Sequence, residues 1–253
     1  MDRLLYTAMG GAARTLEHQA VLSNNVANAN TVGFRAQLAA YRAVPIVGEG
    51  APTRVATVAS TPGSDFSLGA LQTTGRALDV AVAGPGWLAV QTPQGGEAYT
   101  RAGSLQLGVD NVLRTAQGLV VLSADGGPIE VPEGASLTIS SDGVITALGA
   151  GDPPNDVAAL GQFKRVNPDA ATLERGDDGL FRVRTENGEP AQPLPADATV
   201  GIVSGALESS NVSPVAAMVG LIDNARRFEM QMKAIQEADG NAQRANGLLA
   251  PAT

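Results

Sequence analysis

The segment after Asn211 constrains this chain most. From Met218 onward, Met218, Leu221, Ala225, Phe228, Met232, Ile235, Asp239, Ala242, Asn246 and Leu249 recur at alternating spacings of three and four. That is the 3.5-residue average of a helix packed along a seam. Ser213 offers a capping hydroxyl and Pro214 suits a first turn, where its missing N–H costs nothing, so the spacing predicts a helix over 214–249. At 1.5 Å per residue this rod is about 54 Å long. A helix of that length with no globular body to lie on favours a coiled coil.

The other end of the chain matches it in kind. Leu5, Met9, Ala12, Leu16, Gln19, Ser23 and Val26 keep the same alternation and predict a helix over 1–30. Asn and Gly enter left-handed and turn conformations easily, so Asn28-Ala29-Asn30-Thr31-Val32-Gly33 reads as its end and a sharp exit into Phe34-Arg35. Both seams are dilute, because Gln19, Ser23, Ala225, Asp239, Ala242 and Asn246 offer little apolar area. At about 25 cal/mol per Å² buried, two such helices pair only marginally in isolation. They are therefore expected to order when several helix pairs pack side by side. The competing reading is an ordinary antiparallel pair closing one globular protein.

Between residues 76 and 204 the period changes to two. Leu78, Val80 and Val82 alternate with Asp79, Ala81 and Ala83, and Gly84-Pro85-Gly86 turns the chain into Trp87 to Thr92. Further strands are expected at 105–109, 119–122, 136–140, 162–166, 180–184 and 199–203. Turn signals punctuate them at Asp125-Gly126, Asp142-Gly143, Asp178-Gly179 and Asn187-Gly188. The fold class expected is α+β: terminal helices (1–30 and 205–253) pairing as a coiled-coil-like domain, an all-β central domain (76–204), and an extended connector with short strands (31–75).

Composition removes several functions. The chain has no Cys and one histidine, His18, which excludes thiol chemistry and sites built on several histidines. The net charge of −8 argues against nucleic acid as a partner. The opening residues hold no apolar run of signal-peptide length, and no stretch reaches the roughly 18 apolar residues of a membrane span. Asp177-Asp178, or Asp152 with Asp156, could be offered as paired carboxylates for hydrolysis, but Asp-Asp-Gly is more simply a turn. No catalytic residue, metal, cofactor or small-molecule substrate is expected. His18 is expected on a solvated or interface helix face, and buried amides of the Asn cluster must find partners.

Three segments carry a resemblance. Ser23-Asn24-Asn25-Val26-Ala27-Asn28-Ala29-Asn30-Thr31-Val32-Gly33-Phe34-Arg35 closely resembles the N-terminal signature of bacterial flagellar rod and hook proteins. Leu78-Asp79-Val80-Ala81-Val82, Gly86-Trp87-Leu88 and Tyr99-Thr100-Arg101-Ala102-Gly103 resemble that family's central segment, with Trp87 in place of a common Phe. Gly205-Ala206-Leu207-Glu208-Ser209-Ser210-Asn211-Val212, then Arg227-Phe228-Glu229-Met230-Gln231-Met232-Lys233, resemble its C-terminal one.

The resemblance implies a structural subunit of the periplasmic drive shaft, of the proximal-rod kind, with a distal-rod or hook-family subunit as the alternative. It implies export unfolded through the flagellar type III apparatus without signal cleavage, then helical packing with the terminal helices inside and the β domain outside. The partners implied are copies of the chain, the neighbouring rod proteins and the export apparatus. Candidate assembly residues are Leu5, Met9, Leu16, Asn24, Asn25, Val26, Asn28, Thr31, Gly33 and Phe34 at one end. At the other they are Met218, Leu221, Ala225, Phe228, Met232, Ile235 and Leu249. A rival from another class is a glycan- or peptidoglycan-binding β module on a dimerisation stalk.

Overall fold

The computed structural model describes residues 2–45, 55–59, 63–149, 151, 153, 156–185 and 192–249. Two long helices, α1 (Asp2–Ala27) and α2 (Pro214–Leu249), bracket a β-rich middle, so the class is α+β. None of the described helices is long and apolar enough to cross a membrane. The chain divides into two compact units, one of 1–29, 36–65 and 212–253, the other of 30–35 and 66–211.

In the first unit α2 begins where its cap requires. The Ala217 N–H donates to the Ser213 carbonyl at 3.0 Å, and Ser213 Oγ lies 3.4 Å from the Ala216 nitrogen. At the end of α1 the Asn24 carbonyl accepts from both the backbone N–H of Asn28 (3.1 Å) and its side-chain amide (2.9 Å), which closes the last turn. The helices run antiparallel, with Gly220 against Leu22 and Gly11 against Gln231. Two short ladders accompany them: Gln37–Leu38 with Gly63–Ser64, and Tyr41–Pro45 with Val55–Ala59. The Tyr41 hydroxyl donates to the Arg14 carbonyl at 3.1 Å.

In the second unit the main sheet is built on Trp87–Gln91, which pairs antiparallel with Glu97–Thr100, with Val120–Val121 and with Arg165–Val166. A second sheet of three strands runs Ser136–Ile139, Val144–Leu148, Ala158–Gln162. Gly201–Ser204 pairs with Val80–Ala83, and Ala206–Glu208 with Leu71–Thr73. Alternation along these strands aims Val80, Val82, Leu88, Val90 and Ile145 into one apolar core, which Leu105, Leu113 and Phe163 complete. Trp87, Tyr99 and Phe181 sit in a second cluster, where the rings of Trp87 and Phe181 are 4.5 Å apart.

The turns at Asp125-Gly126, Asp142-Gly143 and Asp178-Gly179 form as their sequences predict, with each glycine at positive φ. Asn187-Gly188 lies outside the described residues. Several strands escape the sequence pattern: Glu97–Thr100, Leu113–Thr115, Val144–Leu148 and Leu173–Arg175. The strand expected over 162–166 is two strands, one ending at Gln162 and the next starting at Arg165, in different sheets. Phe163 and Lys164 carry the chain between them: Phe163 N–H donates to Gly143, and Lys164 N–H to Leu122.

Candidate functional site: the helix pair and the motif junction

The seam between α1 and α2 consists mainly of small and polar residues. Ala12, Ala217 and Ala238 are buried in it, with Thr15, Asn25 and Asn224 as buried polar members of the unit. A side chain placed on Gly11 would come to 3.0 Å from Gln231 Nε2, and one on Gly220 to 3.3 Å from Leu22, so the backbones are close. Close approach of backbones buries polar groups, and these are paired. The Thr15 hydroxyl meets the Gly11 carbonyl and Gln231 Oε1, each at 3.0 Å, and the Asn224 amide donates to the Thr15 carbonyl at 2.8 Å. His18 Nδ1 lies 3.3 Å from Asn224 Oδ1, with its ring edge-on to Tyr41.

This shifts the seam from its expected phase. On α2 the inward positions are Ala217, Leu221, Asn224, Phe228, Gln231, Ile235, Ala238 and Ala242. Leu221, Phe228, Ile235 and Ala242 therefore face in as expected, whereas Met218, Ala225, Met232 and Asp239 face out, one residue off the true seam. On α1, Leu5, Ala12 and Val26 are at least half-buried, but Met9, Leu16, Gln19 and Ser23 are exposed. The side chains of Asn246 and Leu249 lie outside the described ones. The physical reason is that two phases share Leu221, Phe228 and Ile235, and the helices approach along the smaller flank. Bulk is left outside: Tyr6, Met9 and Leu16 on α1, and Val215, Met218, Val219, Ile222, Met230 and Met232 on α2.

At the exit of α1, Asn25 forms a two-way bond with Gln37. Its amide donates to the Gln37 carbonyl at 2.9 Å, and its Oδ1 accepts the Gln37 N–H at 2.8 Å. Asn24 is exposed and contributes its backbone carbonyl to the helix end.

The second unit gathers the other motif residues. Gly33 holds φ +69°, and its N–H donates to the Glu208 carbonyl at 2.8 Å. A Cβ there would collide with the backbone of Arg101 and Ala102. Phe34 is buried under the Arg175 guanidinium, 4.4 Å from its ring centroid, and its carbonyl faces the Asn211 N–H. The Thr31 carbonyl accepts from Phe34 N–H at 3.3 Å.

Behind them lies a cluster that the sequence reading did not single out as a site. Arg35 Nη2 donates to Glu208 Oε1 at 2.6 Å, and Gly69 N–H donates to the same oxygen at 2.7 Å. Arg101 Nη1 lies 3.2 Å from Glu208 Oε2 without hydrogen-bond alignment, so this contact is coulombic. Arg101 also donates to the carbonyl of Gly84. All three side chains are at most 2% exposed. Burial, aided by the neighbouring Arg35 charge and opposed by Glu208, lowers the Arg101 pKa to about 10. Each member comes from a different motif, Gly33-Phe34-Arg35, Tyr99-Thr100-Arg101 or Gly205-Ala206-Leu207-Glu208. The available signal was one charged residue set among otherwise apolar or small ones in each segment.

Asp178 binds Arg182 at 2.5 Å and caps its turn at Leu180, and the Arg182 bond holds its carboxyl below the usual range. Asp152 lies outside the described residues. Among the described residues no group of three or more His, Asp or Glu is placed to hold a metal.

Three family models match in chain order: flagella basal body rod protein over residues 5–35, flagellar hook protein FlgE/F/G D1 domain over 81–147, and flagellar basal body rod FlgEFG protein C-terminal over 203–248. The chain is 53% identical over 250 residues to the flagellar basal-body rod protein FlgF of Escherichia coli (strain K12), covering 98% of this chain and 99% of that protein. The chain belongs to the flagellar basal-body rod protein family. The FlgF of Salmonella typhimurium matches at the same identity and coverage. A rod protein named FlgG, from Bacillus subtilis, is 32% identical, with 94% of this chain covered. The three matched segments of the rod family supply Arg35, Arg101 and Glu208 respectively. As a member of the family, the chain is a structural component of the flagellar basal body.

Proposed function

We propose that the chain is a proximal-rod subunit that assembles helically through its terminal helices, encloses the export channel and transmits torque from rotor to hook. The observation carrying the assembly mode is the division of faces on α1 and α2. Small and hydrogen-bonded residues close the pair, and large apolar ones such as Met9, Leu16, Met218 and Ile222 are left outward. Covering a Met or Ile side chain contributes about 1.5–3 kcal/mol, so repeated contacts along α2 would order the helices on assembly as a coiled-coil-like layer. The partners are copies of this chain, adjoining rod proteins and the flagellar type III export apparatus, a route that delivers unfolded chains to the periplasm without a cleaved signal. The function is mechanical, with no catalytic step.

The outward residues Met9, Leu16, Met218 and Met232 are in this reading contacts between subunits, and Leu221, Phe228 and Ile235 hold the pair within one. Deletion of 214–249 tests it. Loss of incorporation into basal bodies, with the Trp87 emission of the folded β unit retained, is expected. Normal incorporation would refute the reading.

A further inference from the structure

The β unit holds a cleft of about 200 Å³ lined by Phe66, Pro85, Trp87 and Pro168 together with Arg35 and Arg101. Its two arginines are sealed, with side chains 1% and 2% exposed. Nε and Nη1 of Arg35 and Nε of Arg101 have no hydrogen-bond partner among the described residues. One carboxylate, Glu208, is paired with both cations, and it is shared further with the Gly69 N–H. A third cation, Arg175, donates to the Arg35 carbonyl at 2.9 Å, and burial lowers its pKa. The cluster therefore carries more positive than negative charge in a place where unpaired charge is costly.

We propose that this cleft is an anion site that takes a carboxylate, its aliphatic stem held against Phe66 and Trp87, which meet edge to face in the cleft wall, and its charge completing the Arg35–Arg101–Glu208 cluster. A guanidinium with idle N–H groups is a carboxylate receptor by geometry. The Arg35 and Arg101 carbons lie 6.0 and 5.8 Å from the Trp87 ring centroid, so the ring stands beside the charges that the ligand would meet. The carboxylate has two sources, an acidic side chain of a second copy of this chain, whose net charge is −8, or a free organic acid. The first source rests on the rod reading, and the pocket itself does not.

Trp87 is the sole tryptophan, so its fluorescence in the dilute full-length chain reports the cleft wall. Titration with N-acetylglutamate α-amide at constant ionic strength is expected to give a saturable change, and N-acetylglutamine amide, its uncharged isostere, none. Ala170→Glu sets a carboxylate on a residue that lines the cleft and should abolish the response without lowering the thermal transition. Arg101→Gln should raise the half-saturating concentration at least about tenfold. If that variant fails to fold, Ala170→Glu decides alone. A non-saturating response, an equal response to the isostere, or a saturable response surviving in Ala170→Glu overturns the proposal. In assembled filaments, loss of the probe response identifies a neighbouring copy as the source, and a retained response identifies a free acid.

Discussion

Arg35 and Glu208 stand 173 positions apart in the chain and meet at 2.6 Å with both side chains sealed from water. One residue lies eight positions beyond α1 and the other six positions before α2, so the segments leading out of both terminal helices are anchored in the β unit. In the proposed torque-transmitting role, such an anchor would resist load on either connection.

Glu208→Gln should cost about 3–5 kcal/mol, because it leaves two buried guanidiniums without their counter-charge while keeping the shape and the acceptor for Gly69. Urea denaturation followed by Trp87 emission measures it. A loss under about 1 kcal/mol would mean that the arginines are neutralised by something other than Glu208.

Alkaline stability should depend on Tyr99. Burial, its largest cause, raises the phenol's pKa above the ordinary 10.0, with Glu97 adding to it and the Leu194 N–H bond opposing. A folded-state pKa above the unfolded one means that folding favours the neutral phenol. That contribution is whole below pH 10 and drains away as pH rises beyond it, by up to about 1.4 kcal/mol per pH unit. Tyr99→Phe should lose about 1 kcal/mol at neutral pH, since the Leu194 N–H loses its acceptor, yet fall less steeply above pH 10. Parallel pH profiles for the two proteins would sink the assignment.

Asn25→Asp should be at least as damaging as Asn25→Ala. The carboxylate still accepts the Gln37 N–H, but it faces the Gln37 carbonyl with no proton to give, in a buried position. A loss of about 1–3 kcal/mol, with faster amide exchange at Gln37, is expected. Unchanged exchange in the Asp variant would show that the pairing does not hold the exit of α1.

The helices and the all-β middle were legible because their signals are local: a Ser-Pro start, an Asn-Gly stop, alternation, and Asp-Gly turns. What escaped was set by tertiary partners. Glu97–Thr100 buries three of its four residues, Ala98, Tyr99 and Thr100, so it shows no alternation. Arg35, Arg101 and Glu208 each look like ordinary surface charge, and their burial emerges only when three distant segments meet. The seam phase was ambiguous because Leu221, Phe228 and Ile235 satisfy both registers, and small residues that let helices approach carry no apolar signal.

The two faces of α2 should separate by mutation. Ile222 is 56% exposed and lies beyond the seam, so Ile222→Asp should change the stability of the dilute chain by no more than about 0.5 kcal/mol. In the filament the same charge would sit against apolar side chains of another copy, and incorporation should stop. Phe228→Asp instead places its charge in the seam of the pair, so it should lower helical content before any assembly begins. Circular dichroism of the dilute chains, read beside motility of cells carrying each variant, distinguishes the cases. Wild-type motility with Ile222→Asp would remove the outward stripe from the interface. Equal loss of helix in both variants would show that the pair, in solution, does not keep the seam described above.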